Sequence, residues 1–153
     1  MSETASELRE LYQEIVLEHS RHPRNFKKLA QATCSTEGFN PLCGDHIHLH
    51  LQVENGRIVD IGLEGSGCAI SKASASVMST LIKGQSVAEA LALFDSFHQL
   101  VTVDGPVENI DRLGDMVAFA GVRAYPVRVK CATLAWHALS AALKSEAKQV
   151  STE

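Results

Sequence analysis

Four cysteines, Cys34, Cys43, Cys68 and Cys131, are the residues of this chain best suited to chemistry. In a reducing compartment a set of thiols reads as metal or sulfur chemistry before it reads as disulfides. Three of the four stand at structural punctuation. Cys43 lies in Asn40-Pro41-Leu42-Cys43-Gly44-Asp45, a turn ahead of a strand. Cys68 closes Gly65-Ser66-Gly67-Cys68, between a strand and a helix. Cys131 falls in the first turn of the last expected helix. The separations are too wide for a local zinc knuckle, so the fold itself must assemble any site. Thiolates are favoured near helix N-termini and near cations. Cys68 precedes a helix with Lys72 one turn on, and Cys131 follows Arg128 and Lys130. Asp45, just after Cys43, adds an oxygen donor on the same approach. Three thiolates and one carboxylate make a tetrahedral set suited to Zn²⁺. That set stays net negative with the ion bound, which Lys72, Arg128 and Lys130 would offset. The competing reading makes each cysteine a small buried hydrophobe. Spacing alone does not choose between the two for Cys43, Cys68 and Cys131. For Cys34, on a weak strand with no partner motif, the hydrophobe is the expectation.

The elements that must position these residues follow from periodicity. Leu8, Leu11, Tyr12, Ile15, Val16 and His19 recur at helical spacing, after a loose end at residues 1–5, and the helix should stop before His22-Pro23. Residues 24–31 read as a linker and 32–39 as a weak strand. Ile47, Leu49, Leu51 and Val53 alternate with His48, His50 and Gln52. Val59, Ile61 and Leu63 alternate again, and Asn55-Gly56 between the two runs signals a hairpin. Residues 69–82 then read as a helix closed by Gly84, and Ser86 with Glu89 forms a capping box opening another to about Val101. After a loop at 102–110 comes a short helix through Met116, Val117 and Phe119 that ends near Gly121. Tyr125-Pro126 is expected to break the chain, and a last helix runs from about Val129 to Lys144, followed by a polar tail at 146–153. Strands segregated from helices argue for an α+β fold, with a small antiparallel sheet of about three strands packed on helices.

The 153 residues fit a single domain, residues 1–153, with a core over about 6–145 and polar ends. Fourteen basic against eighteen acidic residues exclude a basic nucleic-acid footprint and a polybasic membrane surface. No apolar run approaches the ~20 residues of a membrane span. The start, MSETASELRE, lacks the features of a secretory signal, so the expected location is cytoplasmic, with reduced thiols.

Three motifs make the chain recognisable. Asn40-Pro41-x-Cys43-Gly44-Asp45, Gly65-x-Gly67-Cys68-x-Ile70-Ser71-x-Ala73-Ser74-x-Ser76 and Arg128-x-Lys130-Cys131 resemble, in order, the cysteine motifs of the NifU N-terminal/IscU-like iron–sulfur cluster assembly superfamily. Within it the chain looks like the SufU branch. Gly114-Asp115-x-Val117-Ala118-x-Ala120-Gly121-Val122 lies in an extra segment that branch carries, and Ala132-Thr133-Leu134-Ala135-Trp136 is similar to its sequence after the last cysteine. Lys130 also stands where the scaffold-type branch has a histidine. An ammonium group is not a metal ligand at neutral pH, so Lys130 weighs against cluster assembly on this chain.

The resemblance implies an IscU/SufU-like fold and a zinc-dependent sulfur-transfer function in iron–sulfur cluster assembly. Its zinc ligands would be Cys43, Asp45, Cys68 and Cys131. Cys43 would accept persulfide sulfur from a SufS-type cysteine desulfurase, a histidine of that partner replacing it on zinc, and would pass the sulfur to a downstream assembly scaffold. Arg128 matches an arginine associated with working alongside the desulfurase. The alternative is a scaffold holding a transient Fe–S cluster on the same residues. His46, His48 and His50 remain outside this scheme. His-x-His on a strand binds zinc in some hydrolases, but these three face away from the apolar set and are read as a solvated strand face.

Overall fold

The computed structural model describes residues 3–103, 105–144 and 149–151. Helix α1 (Glu3–Arg21) already includes residues 3–5, where a loose end was expected, and residues 1–2 lie outside the described residues. Glu3, Ala5 and Glu7 are residue types that suit a helix start, acids being favoured near its positive end. The helix stops before His22-Pro23 as expected. His19 is buried at its C-terminal end, its Nδ1 2.7 Å from Ser76 Oγ, and burial aided by the charge of Arg24 holds its imidazole below the ordinary range.

Strands β1 (Cys34–Asn40), β2 (Asp45–Glu54) and β3 (Arg57–Ser66) form the antiparallel meander. The β2–β3 turn has Asn55 and Gly56 both at positive φ, 54° and 75°, as the Asn-Gly pair predicts. Register places Leu49 opposite Leu63 and Leu51 opposite Ile61, and all four are buried against the helices. The polar tail contains a fourth strand, β4 (Gln149–Ser151), parallel to β1, and the sheet order is β3-β2-β1-β4. The outer edge of β1 would otherwise offer unpaired backbone groups, and three residues of almost any type can fill it. Such a short pairing leaves no periodicity in the sequence.

Helix α2 (Ala69–Ile82) and helix α3 (Val87–Thr102) occupy their expected places, α3 capped by Ser86 Oγ accepting from the Glu89 N–H at 3.1 Å. The segment Ile110–Ala124 is a 3-10 helix, longer than expected and interrupted at Gly114. Its buried residues, Leu113, Met116, Phe119 and Val122, recur every third position, which is the period of a helix with three residues per turn. Helix α4 (Pro126–Lys144) starts three residues earlier than expected. Proline at the first helical position needs no N–H partner and has its φ preset, so Pro126 opens the helix and does not merely break the chain. Cys131 consequently lies in the second turn of α4, not the first.

Helices α2 and α4 cover the apolar face of the sheet, with α3 and the 3-10 segment packed beyond them. Trp136 of α4 is fully buried, stacked on Phe97 at 5.5 Å and Phe94 at 6.0 Å between ring centroids. Trp136→Ala is expected to cost about 3–5 kcal/mol of unfolding free energy, measured by denaturant titration of the two proteins. Among the described residues no helix is long and apolar enough to cross a membrane.

Candidate metal centre

Three structural joints converge on one end of the sheet. The β1–β2 turn hydrogen-bonds Cys43 N–H to Asn40 C=O at 3.2 Å and brings Cys43 round beside Asp45, the first residue of β2. The end of β3 delivers Cys68 as the N-cap of α2, its Sγ accepting from Ser71 N–H at 3.4 Å. The second turn of α4 supplies Cys131 from above. Sγ of Cys131 lies 3.2 Å from Sγ of Cys43, and one donor atom each from Cys43, Asp45 and Cys131 lies within 4.8 Å of the other two. Cys68 Sγ stands 3.8 Å from Asp45 Oδ2. Donors on a tetrahedral zinc ion with Zn–S near 2.3 Å are separated by roughly 3.8 Å. Cys43, Asp45 and Cys131 thus form a group that could hold a metal ion, and Cys68 stands beside it through Asp45.

Asp45 is fixed before any ion arrives. It is 2 % exposed, and its Oδ1 accepts the Cys68 N–H at 2.7 Å. Gly67 makes this approach possible, since a Cβ at that position would sit 2.6 Å from Asp45 Oδ1. Asn40, not singled out as a site residue from sequence, is fully buried and donates from Nδ2 to both Asp45 Oδ2 and Cys131 Sγ, each at 3.3 Å. It holds two of the candidate donors, as an outer partner would in a metal site. The signal available in the sequence was its place at the strand end opening the Cys43 turn.

Electrostatics runs against the expectation that helix ends and cations lower the thiol pKa values. Burial pushes the Cys68 thiol up, and the charge of Asp45 adds to this, outweighing the Ser71 N–H that favours its thiolate. Burial pushes Cys131 up further, with hydrogen bonding to Cys43 and Asp45 acting in the same direction. A cluster of acidic groups this close cannot all be ionised without a compensating cation. A divalent ion held here would supply that charge and reverse the preference.

Exposure separates the cysteines. Cys131 is buried, Cys68 half-buried and Cys43 exposed. Cys43, Cys68 and Cys131 line an open pocket of about 460 Å³ whose other wall is Tyr125, Val127 and Arg128. Arg128 is exposed with its guanidinium 4.7 Å from the centroid of the Tyr125 ring. Arg123 turns away, its Nη1 donating to Leu100 C=O at 3.2 Å and Val103 C=O at 2.8 Å at the end of α3. Cys34 is half-buried at the other end of β1, packed against the core, and burial pushes its thiol up.

The sequence matches the NifU-like N terminal domain family over residues 11–132. The chain belongs to that family. Its relatives include the zinc-dependent sulfurtransferase SufU of Bacillus subtilis, 38 % identical over 136 residues that span 89 % of this chain and 91 % of that one. The iron–sulfur cluster assembly scaffold protein IscU of Streptococcus pyogenes is 40 % identical over 143 residues, 93 % of this chain and 88 % of the relative. Among solved structures, the SufU protein of Fervidobacterium islandicum, described as a candidate cluster-assembly scaffold for the SUF system, superimposes with a TM-score of 0.80 at 35 % identity. The match covers 85 % of this chain and 94 % of that one. The α+β fold and the membership of an iron–sulfur cluster assembly and sulfur-transfer family are therefore established. The relatives' names divide between sulfurtransferase and scaffold.

Proposed function

We propose that this protein is a zinc-dependent sulfur carrier that accepts sulfur on Cys43 from the persulfide of a SufS-type cysteine desulfurase and hands it to a downstream assembly protein. One observation carries the reading. Within a site otherwise buried or half-buried, Cys43 is the exposed thiol, on a turn open to solvent, while Asp45 and Cys131 are each 2 % exposed. Exposed Tyr125 and Val127 line the pocket, exposed Leu42 precedes Cys43 in the chain, and the three offer apolar surface for a partner.

Cys43, Asp45, Cys68 and Cys131 would hold the zinc, whose chemistry is to keep thiols deprotonated at neutral pH. In the transfer, the Cys43 thiolate attacks the terminal sulfur of the partner's persulfide. A new S–S bond forms at Cys43, the partner's S–S bond breaks, and its cysteine leaves as thiolate, so no net oxidation occurs. Asp45 and Cys131, fixed by Asn40, stay in place while the turn carrying Cys43 moves. Arg128 at the pocket mouth attracts the anionic persulfide.

A desulfurase assay tests this. Zinc-loaded protein is expected to stimulate alanine release strongly, and chelator-stripped protein is not; equal stimulation by both refutes the reading. The scaffold reading rests on the same three thiols and on the names of the IscU relatives. It requires purified protein to carry a brown chromophore, whereas the carrier reading requires one colourless zinc ion per chain.

A further inference from the structure

The histidines of β2 are not the bare solvated row that alternation suggested. They occupy the face of the sheet opposite Ile47, Leu49 and Leu51. Register sets Glu37 of β1 and Glu64 of β3 on either side of His48, and Ser35 beside His50. His50 Nε2 lies 2.9 Å from Glu64 Oε1, and the His48 and His50 ring centroids are 4.1 Å apart. One donor atom each from His48, His50 and Glu64 lies within 4.8 Å of the other two.

Two further features exceed what an ion pair needs. The second nitrogen of each imidazole already has a neighbour outside the cluster, with His50 Nδ1 2.9 Å from Ser35 Oγ and His48 Nδ1 3.8 Å from Glu37 Oε1. Metal-ligating histidines are held by a hydrogen bond such as that between His50 and Ser35, which fixes the tautomer and aims the free nitrogen. Opposite His50 on β3 stands Gly62, where a Cβ would lie 2.5 Å from Lys27 C=O and 3.3 Å from Leu29 Cβ. The missing side chain lets the 27–29 loop close over the strand, and the His50 side chain is only 14 % exposed.

We infer that His48, His50 and Glu64 form a second metal site, for a borderline divalent ion such as Zn²⁺, Fe²⁺, Co²⁺ or Ni²⁺. Two imidazoles and one carboxylate suit these ions and do not suit Mg²⁺ or Ca²⁺, which take oxygen. Glu37 is a further carboxylate beside His48, 3.8 Å from its Nδ1. The thiol pocket draws on Asp45, and strand alternation points Asp45 to the opposite face from His48 and His50, so the two sites load independently.

Titrating the full chain with Co²⁺, followed by absorption and calorimetry, tests the inference. Binding to thiolates gives intense sulfur-to-metal charge-transfer absorption; binding to His48, His50 and Glu64 gives weak ligand-field bands alone. A binding event of the second kind is expected. It should be lost in His50→Gln and in Glu64→Gln and weakened about tenfold in Ser35→Ala. It should persist in excess Mg²⁺. Retention of the thiolate event in each variant shows that the variant is folded, and the more exposed His48→Gln provides a second variant that should also lose the ligand-field event. The inference is overturned if every Co²⁺ ion bound shows thiolate charge transfer, or if the ligand-field event survives these three substitutions. Loss of the thiolate event alone would instead count against the carrier reading and leave this site standing.

Discussion

Cys43→Ser is expected to reduce desulfurase stimulation to the rate of the desulfurase alone while leaving the fold in place. The nucleophile in sulfur exchange is a thiolate, and a hydroxyl at the same position cannot form the persulfide. Cys43 is exposed, and its Sγ lies 3.2 Å from Cys131 Sγ. Unfolding of the metal-free variant should therefore differ from that of the wild type by less than about 0.5 kcal/mol. Cys34→Ser, at the far end of β1, should leave stimulation unchanged. A Cys43→Ser protein that kept even a tenth of the stimulation would sink the acceptor assignment. Alanine release and denaturant unfolding, measured side by side, decide the matter.

Asp45→Asn should weaken zinc binding by at least about 100-fold, beyond what loss of an outer partner produces. The substitution is nearly isosteric, and its side-chain oxygen can still accept the Cys68 N–H that Oδ1 now accepts at 2.7 Å. What it removes is the negative charge, together with the oxygen that accepts from Asn40 Nδ2 at 3.3 Å. Asp45 helps to hold both the Cys68 and the Cys131 thiols above their ordinary pKa range. In the metal-free variant those thiols should ionise at lower pH and react faster with an alkylating agent. Easier ionisation by itself would favour zinc, because ligation displaces thiol protons. The two effects thus have opposite signs. Faster alkylation together with weaker zinc binding identifies Asp45 as a ligand. Faster alkylation with equal or tighter zinc binding would make it an electrostatic neighbour only. Competition against a chromophoric chelator measures the affinity.

The raised thiols also fix a sign for the metal-free protein. A thiol whose folded pKa lies above its unfolded value of roughly 8.5 contributes stability that is present below that pH and lost as pH rises beyond it. The metal-free fold is therefore weakened by alkali, whereas metal binding is favoured by it. Cys68 and Cys131 disfavour charge in the metal-free protein, and zinc ligation would require it of them.

Much of this was legible in the residues. The alternation of Ile47, Leu49 and Leu51, the Asn55-Gly56 turn and the Ser86 cap are local signals, and each appears where local physics puts it. Less legible were features whose cause lies elsewhere in the chain. The edge of β1 recruits Gln149–Ser151, and Pro126 extends α4 and moves Cys131 up one turn. The three-residue period of Leu113, Met116, Phe119 and Val122 was present in the sequence but does not match the helical period usually sought.

For the site, residue types and chain order offered Cys43, Asp45, Cys68 and Cys131 as one possible donor set, and the resemblance of their motifs to a known family singled them out. They could not show that Asn40 bridges two of the donors, that burial overrides the helix end at Cys68, or that Cys43 is the thiol left in solvent. Neither could they show that Glu37, Ser35, Glu64 and the 27–29 loop gather round His48 and His50. Chemistry belongs to a residue and travels with its letter. Distance and burial are shared between segments that meet only when β1, β3 and α4 close on one another, and those two quantities set the charge a donor can carry and the access a partner has to it.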